Sequence, residues 1–282
     1  MQESQTGYTL KYRIRNSERG DNYNLREIDV HASPEEIQRF AADGYLVRER
    51  LFSPEQTQKL RDALDELAAE ELANGTQISD AATFSGLFLR HLMDKRPEFL
   101  ELFRYAPLLS VARAALGPQV QVLPMTARIA YPGENAQGTH WHHHQRVFTD
   151  PAPPFFCRPH VLDVLIYLDD LNDANGPLSM VPGSHQRINE DLPPDLFGDL
   201  PGQVTLKLPA GRAVFIHGNL WHLARPTTKD GTVRRLLILP YAASWLKLPS
   251  YGKRPENGLM APLYQNPDPE TAELLGLPEG LY

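Results

Sequence analysis

The stretch Gly138-Thr-His-Trp-His-His-His-Gln-Arg146 places His140, His142, His143 and His144, four of the chain's ten histidines, within five positions. Imidazole serves as a metal ligand, as an acid or base near neutral pH, or simply as a hydrogen-bonded ring. If residues 139–145 are extended, alternation sends His140, His142 and His144 to one face and Trp141 and His143 to the other. Two imidazoles one residue apart on a strand can grip one side of a metal ion, and a further ligand must then arrive from a distant strand. His222, about eighty residues on and following the β-type run of Phe215-Ile-His, is the candidate. His217 is a weaker one, and His160 and His185 stand beside turn residues. The same cluster also suits a polar strand end of solvated or hydrogen-bonded rings, and spacing alone leaves both readings open.

Composition bounds what such a site can serve. The 282 residues are 41% hydrophobic, enough for a sizeable core. Lys and Arg total 28 against 35 Asp and Glu, a formal net charge of −7, and no basic run forms a nucleic-acid footprint. No nucleic-acid partner is therefore expected. Cys157 is the only cysteine, which excludes an internal disulfide and a cysteine zinc cage and fits a reducing compartment. No signal-peptide pattern and no membrane-length apolar run is read, so the expectation is a soluble, cytoplasmic protein without a membrane partner.

Bringing distant histidines together requires a framework of strands. Residues 1–30 read as a polar arm or an added strand. Two capping boxes follow, Ser33-Pro-Glu-Glu36 and Ser53-Pro-Glu-Gln56, each predicting a helix start. The first helix stops near Asp43-Gly44, and Tyr45–Val47 reads as a short strand. The second helix carries Leu60, Leu64 and Leu67 on one face and stops at Asn74-Gly75. Further helical segments fall near 97–105 and 107–116. From Val120 the texture changes to short β-type runs, at 120–129, 161–168, 204–208, 213–217 and 234–241, separated by Pro, Gly, Asn and Asp turns. Helices first and many short strands later predict a mainly β protein, an antiparallel sandwich or jelly roll with a helical flank. From 246 onward proline is frequent and the strand pattern fades, which predicts a tail wrapped over the surface of the same domain.

Four ordered segments carry a resemblance that covers roughly residues 33–245. They are AADGYLVRERLFSPEQTQKLRDAL, YPGENAQGTHWHHH, NDANGPLSMVPGSHQ and GRAVFIHGNLWHLARPTTKDGTVRRLLILPY. Together they resemble the phytanoyl-CoA dioxygenase family of Fe(II)/2-oxoglutarate oxygenases. The resemblance implies a double-stranded β-helix of the cupin type over 31–245, with 1–30 as an arm and 246–282 as the tail. It implies Fe(II) and 2-oxoglutarate as cofactor and co-substrate, and O2 and a small molecule as substrates. The family's iron site is an H-x-D pair with a distal His, the facial triad of two imidazoles and one carboxylate. Carried over, the first ligand is His142 and the distal one His222. Arg234 is the residue that grips the far carboxylate of 2-oxoglutarate, and Arg235 points the opposite way on its strand. Tyr131, before the Pro-Gly turn, stands on the co-substrate side where some members carry a lysine. Pro182-Gly183 and His185 are scaffold.

The chain departs from the family where the carboxylate should be. His144 takes that place, and no shift of register restores an H-x-D. Leu223-Ala224 replaces the small hydroxyl residue that often follows the distal His. With His142, His144 and His222 as ligands the iron keeps its full charge of two, which attracts the dianionic co-substrate but offers no anionic donor. Three further readings follow: a jelly-roll module that binds a small molecule without chemistry, a three-histidine oxygenase independent of 2-oxoglutarate, and a cupin-type metal hydrolase or isomerase. On the family pattern, His144→Asp is expected to restore an ordinary triad among neighbours already shaped for aspartate. Arg128, Arg146 and the loop Asp150–His160 are expected at the mouth, where they could meet a carboxylated or aromatic molecule.

Overall fold

The computed structural model describes residues 7–15, 23–49, 51–81, 84–133, 137–144, 158–187, 195–246 and 257–277. Strands β1 (Tyr8–Arg15) and β2 (Tyr23–Val30) form an antiparallel hairpin of their own, so the arm is two strands rather than one. Helix α1 (Pro34–Asp43) starts at Ser33, whose hydroxyl accepts from Glu36 N–H while the Glu36 carboxylate accepts from Ser33 N–H. It ends at Gly44, whose φ of 82° and contact with His185 leave no room for a side chain. Strand β3 (Tyr45–Arg48) follows, and helix α2 (Pro54–Ala73) begins with the same reciprocal cap at Ser53. Then come β4 (Ser79–Ala81), β5 (Phe84–Arg90), the short helices α3 (Leu92–Lys95) and α4 (Pro97–Leu100), and α5 (Ala106–Leu116). The strand-rich part contains β6 (Val120–Val122), β7 (Thr126–Ala130), β8 (Thr139–His142), β9 (Val161–Tyr167), β10 (Leu178–Met180), β11 (Val204–Leu206), β12 (Arg212–His217), β13 (His222–Ala224) and β14 (Arg234–Ala243).

These strands join in the order β11-β10-β13-β8-β5-β7-β14-β9-β12-β3, all pairs antiparallel. The sheet curls until its two halves face each other, giving a jelly roll with helices on one side. Side-chain alternation divides the core accordingly. Leu162, Val164 and Ile166 of β9 and Leu237, Leu239 and Tyr241 of β14 pack with Leu60, Leu64 and Leu67 of α2. Each such leucine contributes about 1.5–3 kcal/mol on burial. The intervening residues Leu165, Tyr167 and Leu236 turn inward and meet Leu178 and Met180 of β10, from the opposite half. The inward face is therefore identifiable strand by strand, and the candidate site residues can be assigned to it. No helix among the described residues is long and apolar enough to cross a membrane.

The tail is more than a wrap. Helices α6 (Ala261–Gln265) and α7 (Pro269–Leu274), with their flanking residues, bury Met260, Ala272, Leu274 and Leu275 in the helix-side core. Glu273, 3% exposed, accepts from Arg26 of the hairpin at 2.5 Å and from Arg113 of α5 at 2.9 Å. A proline at the helix start and an Asp268 cap open α7, so proline frequency here marks helix starts rather than loss of structure.

Candidate metal centre

β8 and β13 lie side by side with His142 directly opposite His222. Their rings stand 4.1 Å apart, centre to centre. On the outer face Trp141, Val181, Trp221 and Leu223 form a separate apolar cluster, and Trp141 Nε1 donates to Gly198 O at 2.7 Å. These anchors fix the rotation of both strands. The Pro182-Gly183 turn supports β13 from below, since Ser184 Oγ accepts from Trp221 N–H at 2.9 Å and Trp221 O accepts from Val181 N–H at 3.0 Å.

β8 ends at His142, short of the expected 139–145. His144 N–H instead donates at 2.6 Å to Gly218 O, in the turn after β12. The alternation nevertheless persists. The His144 ring lies 5.4 Å from that of His142 and 5.1 Å from that of His222, while His143 packs edge-on against Trp221 on the other side. One ring nitrogen from each of His142, His144 and His222 lies within 4.8 Å of the others. Small ring rotations would bring all three within a metal–imidazole bond, typically about 2.1 Å.

Protonation decides what these rings can do. His142 Nδ1 donates to His140 O at 2.8 Å and His222 Nδ1 donates to Leu220 O at 2.8 Å, because a carbonyl can only accept. His144 Nδ1 donates to Asp163 Oδ2 at 2.7 Å. A proton on each Nδ1 puts the lone pair on each Nε2, the tautomer that metal-bound histidines adopt with the same outer partners. Burial pushes His222 down to about 3, with the neighbouring His144 ring adding to the effect. Burial, then the His222 and His144 rings, push His142 well below the ordinary imidazole value. Neutral imidazole donors suit iron, zinc, copper or nickel, so the donor set fits Fe(II). Asp163 is the residue that sequence reasoning missed. It is an inward-facing carboxylate, 3% exposed, in the otherwise apolar β9. Its signal was that isolation, but only the folded sheet brings it to His144.

The two arginines that open β14 are placed differently. Arg235 points toward α2 and is held by Asp65 (Nε to Oδ1, 2.6 Å) and Asp169 (Nη1 to Oδ1, 3.1 Å). Arg234 turns inward, 5% exposed, and its Nη1 donates to the carbonyls of Asn175 (3.2 Å), Gly176 and Arg225 (3.0 Å). Gly176 has φ of 80°, and a side chain there would collide with Arg234 Nη1 and Arg225 O. No carboxylate among the described residues pairs with Arg234. Tyr131 is not brought to the histidines. Its ring packs at the edge of the helix-side core, where burial, and next the Asp65 charge, raise its hydroxyl above the ordinary phenol value. His185 and His217 form a separate buried pair, and His160 packs against Trp245. Arg146 and residues 150–157 of the mouth loop lie outside the described residues.

Comparison with known proteins gives a consistent picture. The sequence profile of the phytanoyl-CoA dioxygenase (PhyH) family matches residues 40–236. Ectoine dioxygenase of Bordetella parapertussis is 29% identical over 163 residues, 55% of this chain and 50% of that protein. L-proline trans-4-hydroxylase of Streptomyces griseoviridis is 25% identical over 230 residues, covering 72% and 84% of the two chains. This chain thus spans about half the length of the ectoine dioxygenases it matches. Among solved structures, the non-heme alpha ketoglutarate dependent carbocyclase SnoK superposes with TM-score 0.60 at 22% identity, over 75% of this chain and 84% of that one. HygX of Streptomyces hygroscopicus, with nickel, 2-oxoglutarate and hygromycin B bound, gives 0.60 at 17% identity, over 76% and 89%. At these identities the structural likeness establishes the jelly-roll fold.

Proposed function

Because the chain belongs to the phytanoyl-CoA dioxygenase family, we propose that it is a non-haem Fe(II)/2-oxoglutarate-dependent oxygenase of a small molecule, with iron held by His142, His144 and His222. The observation that carries the proposal is the shared arrangement: three rings, each with Nδ1–H donated outward, bring one ring nitrogen apiece within 4.8 Å of the others. Bound iron would supply the activation of O2 coupled to oxidation of 2-oxoglutarate. The protein's own residues position and neutralise. Asp163 orients the His144 ring and makes it a stronger donor, so the carboxylate absent from the ligand set acts one bond further out. Arg234, buried and without an acidic partner, takes the far carboxylate of 2-oxoglutarate through a planar, charge-assisted contact. Gly176 and Asn175 hold its guanidinium in place through their carbonyls.

A dioxygenase that does not use 2-oxoglutarate is favoured by the all-neutral ligand set. The unpaired charge of Arg234 favours the first reading. The deciding experiment adds Fe(II) and 2-oxoglutarate anaerobically, then admits O2. A visible absorbance band followed by succinate is the expected result. Stoichiometric iron binding with neither band nor succinate would overturn co-substrate use, and no iron binding would overturn the site.

A further inference from the structure

The inward face of β7 carries a second cation that the histidine site does not use. Ala127 and Ile129 pack in the helix-side core, so Arg128 points the other way. Register places Arg128 opposite Phe88 of β5 and Leu236 of β14, one diagonal step from Arg234. Such diagonal neighbours stand about 7–8 Å apart on a sheet. The Arg128 guanidinium lies 3.6 Å from the centre of the Phe84 ring and 4.0 Å from that of Phe88. Arg90 stands on the far part of the same aromatic group, 4.7 Å from the centre of the Phe88 ring. No carboxylate among the described residues pairs with either arginine. Arg128 Nη1 is buried and has no hydrogen-bond acceptor among the described residues. Burial, and next the Arg90 charge, lower Arg128 to about 10, so it remains a cation at neutral pH.

Aromatic faces attract a cation but accept none of its N–H bonds in the guanidinium plane. A buried, charged donor left without an acceptor is costly in a folded protein. The stacking fixes that plane and leaves its edge for a two-oxygen acceptor of matching shape. The interior thus offers two separate cations, Arg234 and Arg128, for two anionic molecules. We propose that Arg128 receives a carboxylate of the primary substrate, so that this oxygenase acts on a small carboxylic acid whose apolar body rests on Phe84 and Phe88. The inference rests on the reading of the histidines as the iron site and of Arg234 as the 2-oxoglutarate grip.

The test uses the full chain loaded with redox-inert Zn(II) and saturated with 2-oxoglutarate. Monocarboxylates from propionate to benzoate, their carboxamides and inorganic phosphate are titrated while the arginine side-chain N–H signals are followed by NMR. At least one acid is expected to shift the Arg128 signal and to bind about tenfold or more tightly than its amide, the scale of one charge-assisted hydrogen bond. In Arg128→Gln that preference should fall to about one, and in Arg128→Lys it should be partly kept, while 2-oxoglutarate affinity stays within about threefold in both. The wild-type signal tests the idea even if a variant misfolds. Equal binding of every acid and its amide, or a preference for phosphate over the acids, would overturn the proposal. So would a loss of 2-oxoglutarate binding in Arg128→Gln as large as in Arg234→Gln. Failure of the parent to bind Zn(II) or 2-oxoglutarate would instead count against the iron site and Arg234 assignments on which the proposal stands.

Discussion

Two groups of close-packed imidazoles lie among the described residues, and only one is arranged to bind. His185 and His217 stand 4.7 Å apart, each 2% exposed, as close as the rings of the other cluster. His185 Nε2 donates to Ala41 O at 3.1 Å, and its Nδ1 faces the backbone of Gly44. His217 Nδ1 accepts from Asn219 N–H at 3.0 Å, so its one lone pair is already engaged. The pair ties α1 to the turn after β12. At His142, His144 and His222 the backbone and Asp163 take the Nδ1 protons, and the lone pairs on the opposite side of each ring converge. Proximity is common to both groups, and burial is complete only for His185, His217 and His222, since His142 is half-buried and His144 exposed. What separates scaffold from site is which ring atom the surrounding hydrogen bonds leave to do further work. Arg235 and Arg234 repeat the lesson in adjacent positions, one enclosed by two carboxylates and the other by none.

The sharpest way to break this comparison is to remove one ring from each group. His142→Ala and His222→Ala should each abolish stoichiometric Fe(II) binding in calorimetry. His185→Ala should retain it and lose stability by about 1–3 kcal/mol, read from denaturant unfolding, because Ala41 O loses its donor. Equal loss of metal in all three would remove the distinction. On β14, Arg234→Leu should weaken 2-oxoglutarate binding by about 1.5–3 kcal/mol and Arg235→Leu by far less. The reverse ranking in a titration would mean that the inward face has been misassigned.

Asp163→Asn should lower metal affinity by about 10–100-fold without displacing the strand, the usual scale for an outer partner of a metal-bound histidine. The structure also revises the expectation for His144→Asp. The neighbour at that position is the buried Asp163 carboxylate, so a second carboxylate meets like charge rather than a prepared site. His144→Asp alone should therefore bind Fe(II) more weakly than the parent, and His144→Asp with Asp163→Asn should recover affinity. A single variant that bound as well as the double one would show that Asp163 is not matched to histidine.

The smallest effect is on pH dependence. His222 is held down to about 3 in the fold against 6.5 for the free side chain, so between these values the unfolded chain binds a proton that the native state does not. Stability from this group is complete above about 6.5 and is lost as pH falls toward 3. The unfolding midpoint of the metal-free protein should fall with acidification, and more gently in His222→Gln. Identical slopes would assign the acid sensitivity elsewhere.

How much of this was legible depends on the distance over which a signal acts. Ser33 and Ser53 announced two helices because a capping box is complete within four residues. The alternation of Arg234 and Arg235 was readable because a strand fixes it locally. Tyr131 was carried over by likeness alone, whereas the alternation of Ala127 and Ile129 continues to it and turns its ring to the helix-side core. Asp163 was visible as a lone acid in an apolar strand, yet its partner is nineteen residues away and reached only through the curl of the sheet. The helices of the tail were not legible from its fading strand pattern, although Pro269 stands at the first turn of α7, behind the Asp268 cap.

Glu273 has a consequence for folding kinetics. Its bond to Arg26 spans 247 residues, and its bond to Arg113 spans 160. Closing so long a loop is entropically expensive until the intervening sheet has formed, so this latch should belong to the last cooperative step. Glu273→Gln would leave Arg113, 6% exposed, with Glu270 as its remaining carboxylate partner among the described residues, and Arg26 with none there. Amide hydrogens of the β1–β2 hairpin and of α7 should then exchange faster together, while those of β9 and β14 keep their protection. The two segments would behave as one opening unit despite lying at opposite ends of the described chain, and the histidine strands would remain closed.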